Sequence, residues 1–164
     1  MQFIRILATL IILMFSSHAL SENWAPFDLL ESKNTNEVWL NAGFYSYHFD
    51  RHQKLNDNNI GIGLEYRYST ISAITAGGFH NSNFKISTYL SWHWQPLTLG
   101  PTRIGVLLGA INGYPHIQDG NYFPLILPIV SYEYKNIGFN LTLIPPYPNL
   151  LFASVTLQIK LKVF

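Results

Sequence analysis

Between Asn58 and Tyr68 the even positions Ile60, Ile62, Leu64, Tyr66 and Tyr68 are apolar or aromatic, and the odd positions Gly61, Gly63, Glu65 and Arg67 are small or charged. Successive side chains of a strand point to opposite faces, so this stretch predicts a strand with one greasy face and one polar, roomy face. The same alternation recurs. Ile86, Leu90, Trp92 and Trp94 oppose Lys85, Ser87, Ser91, His93 and Gln95, and Ile104, Val106 and Leu108 oppose Gly105 and Gly109. At the end of the chain Val155, Leu157, Ile159, Leu161 and Val163 oppose Ser154, Thr156, Gln158, Lys160 and Lys162, with Phe164 out of phase with the apolar row.

Eight strands are predicted: Val38–Phe49, Asn58–Tyr68, Ile71–Phe79, Phe84–Pro96, Thr102–Ile111, Leu125–Tyr134, Ile137–Ile144 and Leu151–Val163. Their connections alternate. Tight ones fall at Ser69-Thr70, Leu97 to Pro101 and Lys135-Asn136, and longer ones at 50–57, 80–83, 112–124 and 145–150. Short turns at one end and long loops at the other are the habit of outer-membrane barrels. An even strand number closes the sheet and removes its edges. Trp24 to Asn36 reads as a short amphipathic helix, capped by Asp28, with Trp24, Phe27, Leu29 and Leu30 on its apolar side. The fold class is therefore all-β: an eight-stranded antiparallel transmembrane β-barrel with a short N-terminal helix. Ile60, Ile62, Leu64, Ile86, Leu90, Val106 and Leu157 are expected to face lipid.

A soluble eight-stranded ligand-binding barrel is the competing reading, and composition weighs against it. Only 12% of the 164 residues are charged, where soluble domains average roughly 25%. The net charge of +1 points to no nucleic-acid or acidic partner. There are no cysteines, so disulfides and thiolate metal sites are excluded. The histidines have no paired spacing, so neither a metal nor a cofactor is expected. Residues 1–19 read as a secretory signal peptide: Arg5 gives the positive start, Ile6 to Phe15 the apolar run, and Ser17-His18-Ala19 the cleavage pattern. Residues 20–37 form the N-terminal segment and 38–164 the barrel. Export with no further long apolar run leaves spanning to strands, in the outer membrane of a Gram-negative cell and as a monomer.

Three stretches carry candidate chemistry. They are Phe79-His80-Asn81-Ser82-Asn83-Phe84-Lys85, then Trp94-Gln95-Pro96-Leu97 followed by Ile104 to Ala110, and Asn121 to Ser131 continuing through Leu143-Ile144-Pro145. In order and spacing they resemble the lipid A palmitoyltransferase family of outer-membrane enzymes. The resemblance implies an eight-stranded barrel that moves a palmitoyl chain from a phospholipid to lipid A. It also implies a lumen that gauges the chain, and a His, an Asp and a Ser at the extracellular rim. Ser82 matches the family's serine. Asn81 stands where its aspartate belongs, and an amide orients a histidine without supplying charge. His48 is the nearest candidate for the histidine, although Asn41 also fits that position. On this reading His48 is the base, Ser82 the nucleophile or oxyanion stabiliser, and Asp at position 81 is expected to raise activity. His48 and Ser82 both follow odd-numbered strands, at the long-loop end, about 10 Å apart at about 4.8 Å per strand.

Two other functions stay open. His80-Asn81-Ser82-Asn83 resembles the His-x-Ser-Asn form of outer-membrane lipid A deacylases, which makes His80 an alternative base, though that family carries the motif near its C-terminus. A non-enzymatic barrel that binds lipid is the other. Pro124, Pro128, Pro145 and Pro146 flank the sixth and seventh strands, where proline cannot donate to a ladder. They read either as strand ends or, as the resemblance implies, as a weak seam through which lipid enters sideways. Glu65, Arg67 and His93 share the inward face and are expected to cluster, since a buried charge needs a partner.

Overall fold

The computed structural model describes residues 26–146 and 152–164. A two-residue strand β1 (Asp28–Leu29) precedes eight long ones: β2 (Asn34–His48), β3 (Asn58–Ser69), β4 (Ser72–His80), β5 (Ile86–Leu99), β6 (Thr102–Ile111), β7 (Phe123–Tyr134), β8 (Ile137–Ile144) and β9 (Ser154–Lys162). Each long strand pairs antiparallel with its neighbour in sequence, and β2 pairs with β9, so the sheet closes into an eight-stranded barrel. β1 lies on the edge of β5, with Leu29 opposite Leu97.

The alternation in the sequence becomes the two faces of the wall. Ile60, Ile62, Leu64, Ile86 and Leu90 are exposed outward, as are Ile159 and Leu161. Val106 and Leu157 take the outward phase of β6 and β9 and are half-buried. Inward, the tight-turn half of the lumen is filled by charge. Fully buried Glu65 accepts from Lys160 Nζ at 2.7 Å and Arg67 Nη2 at 2.9 Å. Arg67 and Lys160 also reach Glu133 at 3.1 and 2.6 Å, and Arg103 pairs with Glu133. His93 Nδ1 lies 3.8 Å from Glu65. Glu65, Arg67 and His93 thus meet, joined by Lys160 from β9 and Glu133 from β7. Such pairs hold only because each charge has partners in place of water. Two glycines make room for a close approach inside the wall: a Cβ at Gly63 or Gly77 would strike the Tyr89 hydroxyl, which crosses the lumen there.

Among the described residues the expected N-terminal helix is not seen. Leu30 N donates to Pro96 O at 2.8 Å, and Asn34–Asn36 already belong to β2. The reason is the sheet. β4 starts at Ser72, opposite Trp94, so β5 runs on past its partner and leaves an edge at Gln95–Leu99. A short extended segment satisfies that edge and its own backbone together, whereas an isolated helix of this length is marginal. Trp24 lies outside the described residues, as do the signal-peptide stretch and residues 147–151, which include Leu151 of the predicted last strand.

Candidate functional site

The long loops gather at one end of the barrel, and the catalytic candidates lie there. His48 is the last residue of β2 and points inward; its side chain is 6% exposed. Its Nε2 lies 3.0 Å from Ser82 Oγ. The gap of about 10 Å between their strands is closed because Ser82 sits on the loop after β4 and leans across the intervening β3. Two bonds hold it: Asn56 N, from the β2–β3 loop, donates to Ser82 O at 3.0 Å, and Asn59 Nδ2, from the start of β3, donates to His80 O at 3.0 Å.

The carboxylate beside His48 is Asp57, at 2.8 Å from Nδ1. Asp57 closes the loop that His48 opens, with Ser46 N donating to Asp57 O at 2.8 Å. Its second oxygen accepts from Arg51 Nη1 at 2.8 Å. The hydrogen bond from His48, aided by Arg51 against partial burial, holds the Asp57 carboxyl below its ordinary range. An anion at Nδ1 fixes the proton there and leaves the Nε2 lone pair facing the Ser82 hydroxyl. Ser82, His48 and Asp57 thus form one hydrogen-bonded row of hydroxyl, imidazole and carboxylate.

Asn81 does not occupy that place. It is fully buried and staples its own loop. Its Nδ2 donates to Ser87 Oγ at 2.8 Å and Gly113 O at 2.7 Å, and its Oδ1 accepts from Asn83 N and Lys85 N at 2.9 and 3.0 Å. His80 is exposed on the outward side of β4, away from Ser82. Asn41 lies deeper in the lumen, donating to Thr75 Oγ1 at 3.1 Å. Sequence reasoning missed Asp57. The signal was present: a hairpin loop brings its two ends together, and Asp57 is the carboxylate at the end opposite His48.

Ser82 lines a cavity that runs down the lumen. Phe44, Phe79, Leu107, Phe123 and Leu127 give it apolar walls, and His93 and Gln158 lie deeper along it. Tyr114 and Ile117, from the β6–β7 loop, are packed among these aromatics, and burial pushes the Tyr114 phenol up to about 12. On one side the wall is incomplete. The β7–β8 ladder runs only from Ile129↔Thr142 to Tyr134↔Ile137. Among the described residues Phe123–Pro128 pair with β6 alone, so the ladder stops at the residue after Pro128. Pro124 and Pro128 face outward, and Pro145 and Pro146 follow the end of β8.

Fold and site together define a transmembrane β-barrel with a Ser–His–Asp cluster at one rim. No protein-family model matches the chain. Over 114 residues it is 31% identical to the lipid A acyltransferase PagP of Laribacter hongkongensis (strain HLHK9), a match covering 66% of this chain and 54% of that protein. The chain thus spans about half the length of this curated relative. The resemblance to the lipid A acyltransferases stands: a curated homologue is one, and the eight-stranded antiparallel barrel is consistent with that family. The solution NMR structure of the de novo designed TMB2.3 has the same fold, with a TM-score of 0.54, 15% identity, and coverage of 80% of this chain and 95% of that one. Homologue and fold point to the bacterial outer membrane.

Proposed function

We propose that this barrel transfers an acyl chain from a phospholipid to lipid A in the outer leaflet. The observation that carries the reading is the 3.0 Å contact between His48 Nε2 and Ser82 Oγ at the end of an apolar cavity. The acyl chain lies in the cavity, which brings its ester to Ser82. His48 takes the Ser82 proton as Oγ bonds to the ester carbonyl carbon. The bond to the glycerol oxygen breaks, and that oxygen leaves with the proton from His48. A hydroxyl of lipid A then gives its proton to His48 and attacks the acyl-Ser82; the bond from the acyl carbon to Oγ breaks, and His48 returns the proton to Oγ. Asp57 orients the ring and balances the imidazolium in both halves.

Lateral entry fits the short β7–β8 ladder. Pro124 and Pro128 cannot supply the missing donors, so an acyl chain slides from the bilayer between Phe123–Pro128 and the end of β8. No cofactor or metal takes part in this scheme, and the working unit is a monomer.

Mass spectrometry of lipid A from outer membranes with and without the protein tests the reading. One added acyl chain that disappears with Ser82→Ala supports transfer. A lost chain assigns the site to hydrolysis, with water in place of the lipid A hydroxyl. Unchanged lipid A leaves a barrel that only binds lipid.

A further inference from the structure

Arg51 stands outside the chemistry just described, and its surroundings are unusual. It follows β2 in the short helical turn Arg51–Gln53. Its guanidinium lies over the Tyr47 ring, 5.4 Å from the centroid. Tyr47 is on the outward face of β2, half exposed, beside Phe49 at 5.9 Å. Tyrosines in this place on a barrel sit at the level of the lipid headgroups. Arg51 therefore lies with its stem on that belt and its charge among the phosphates.

One edge of the guanidinium is committed: Nη1 donates to Asp57 Oδ2. Among the described residues the remaining nitrogens make no hydrogen bond, and the side chain is 56% exposed. The neighbouring acid Asp50 is engaged elsewhere, accepting from His52 N and Gln53 Nε2. Asp57 shares its single charge with His48, so Arg51 keeps cationic character on its open edge.

The spacing fits one ligand. From Ser82 Oγ to Arg51 the relay runs through bonds of 3.0, 2.8 and 2.8 Å. With the widths of the two side chains between them, the ends are at most about 13 Å apart. In a glycerophospholipid the acyl carbonyl and the phosphorus are about 6 to 7 Å apart when extended. A charge-assisted contact of about 2.8 Å at the phosphate and an approach of about 3 Å between Ser82 Oγ and the carbonyl carbon bring the reach within that limit. We propose that Arg51 binds the phosphodiester of the donor phospholipid and so sets its ester at Ser82. This inference rests on the acyl-transfer reading and adds a phosphate-binding residue to it.

The test uses the full chain carrying Ser82→Ala, purified in detergent, with uncleavable diether lipids. Diether phosphatidylcholine is expected to bind at least about 10-fold more tightly than diether glycerol, which lacks the phosphate. Adding Arg51→Ala is expected to erase that difference and leave diether glycerol unchanged; Arg51→Lys restores part of it. An equal loss for both lipids, or no loss, overturns the assignment. Saturation by inorganic phosphate that displaces diether phosphatidylcholine fully would assign the edge to free phosphate and overturn it as well. Because this binding is read on an inert variant, its outcome is independent of whether lipid A gains a chain.

Discussion

Asn81 Nδ2 donates to the carbonyl oxygen of Gly113 at 2.7 Å and so ties the β4–β5 loop to the β6–β7 loop. Gly113 has φ +85, a conformation that favours glycine, and a Cβ there would strike Ile86 O. The side chain at 81 therefore needs donors. Asn81→Asp turns two donors into acceptors facing Gly113 O and Ser87 Oγ. It is expected to cost about 1–3 kcal/mol and to give no gain in turnover, the reverse of what the sequence alone suggests. Heat-modifiability on gels, with lipid A acylation measured in parallel, checks both halves.

Asp57→Asn keeps the shape and removes the charge beside His48. By the behaviour of such clusters, kcat should fall by about 10²–10⁴, with strand content by circular dichroism unchanged. A variant that keeps full turnover would separate Asp57 from the chemistry.

The pH dependence of Asp57 follows from its lowered carboxyl. A group depressed in the folded state adds stability that is complete above its unfolded value of about 3.9 and is lost as pH falls through the folded value. The link between Asp57 and His48 should therefore survive at pH 4. Arg51→Ala should move its loss to higher pH. Carbon-13 titration of the Asp57 carboxyl in micelles reads this; a midpoint at or above 3.9 in the unaltered chain contradicts it.

If Pro124 and Pro128 hold the wall open, replacing both by Ala returns two backbone donors and lets the β7–β8 ladder lengthen. Turnover of phospholipid in bilayers should drop several-fold, while turnover in detergent, where lipid reaches the mouth from solution, should change less. Equal effects in both media would reduce these prolines to strand ends.

The barrel was legible because each wall residue faces lipid or lumen, and that choice is written in every second residue from Ile60 to Tyr68 and from Val155 to Val163. Loop lengths placed Ser82 and His48 at one end. Partners depend on closure, which no local pattern records. Lys160 meets Glu65 across 95 residues because β9 closes on β2 next to β3. Asp57 meets His48 because a loop returns on itself. The N-terminal stretch was misread as a helix because its fate is set by the unpaired edge of β5, a feature of another strand.

The most direct measurement of the central claim is acyl transfer by the purified protein. Phospholipid with a labelled acyl chain and unlabelled lipid A are supplied in detergent to the unaltered chain, Ser82→Ala and His48→Ala. Label should pass to lipid A with the unaltered chain, and both variants should lose it by at least about 10³-fold while remaining folded. Full transfer by Ser82→Ala would contradict the account.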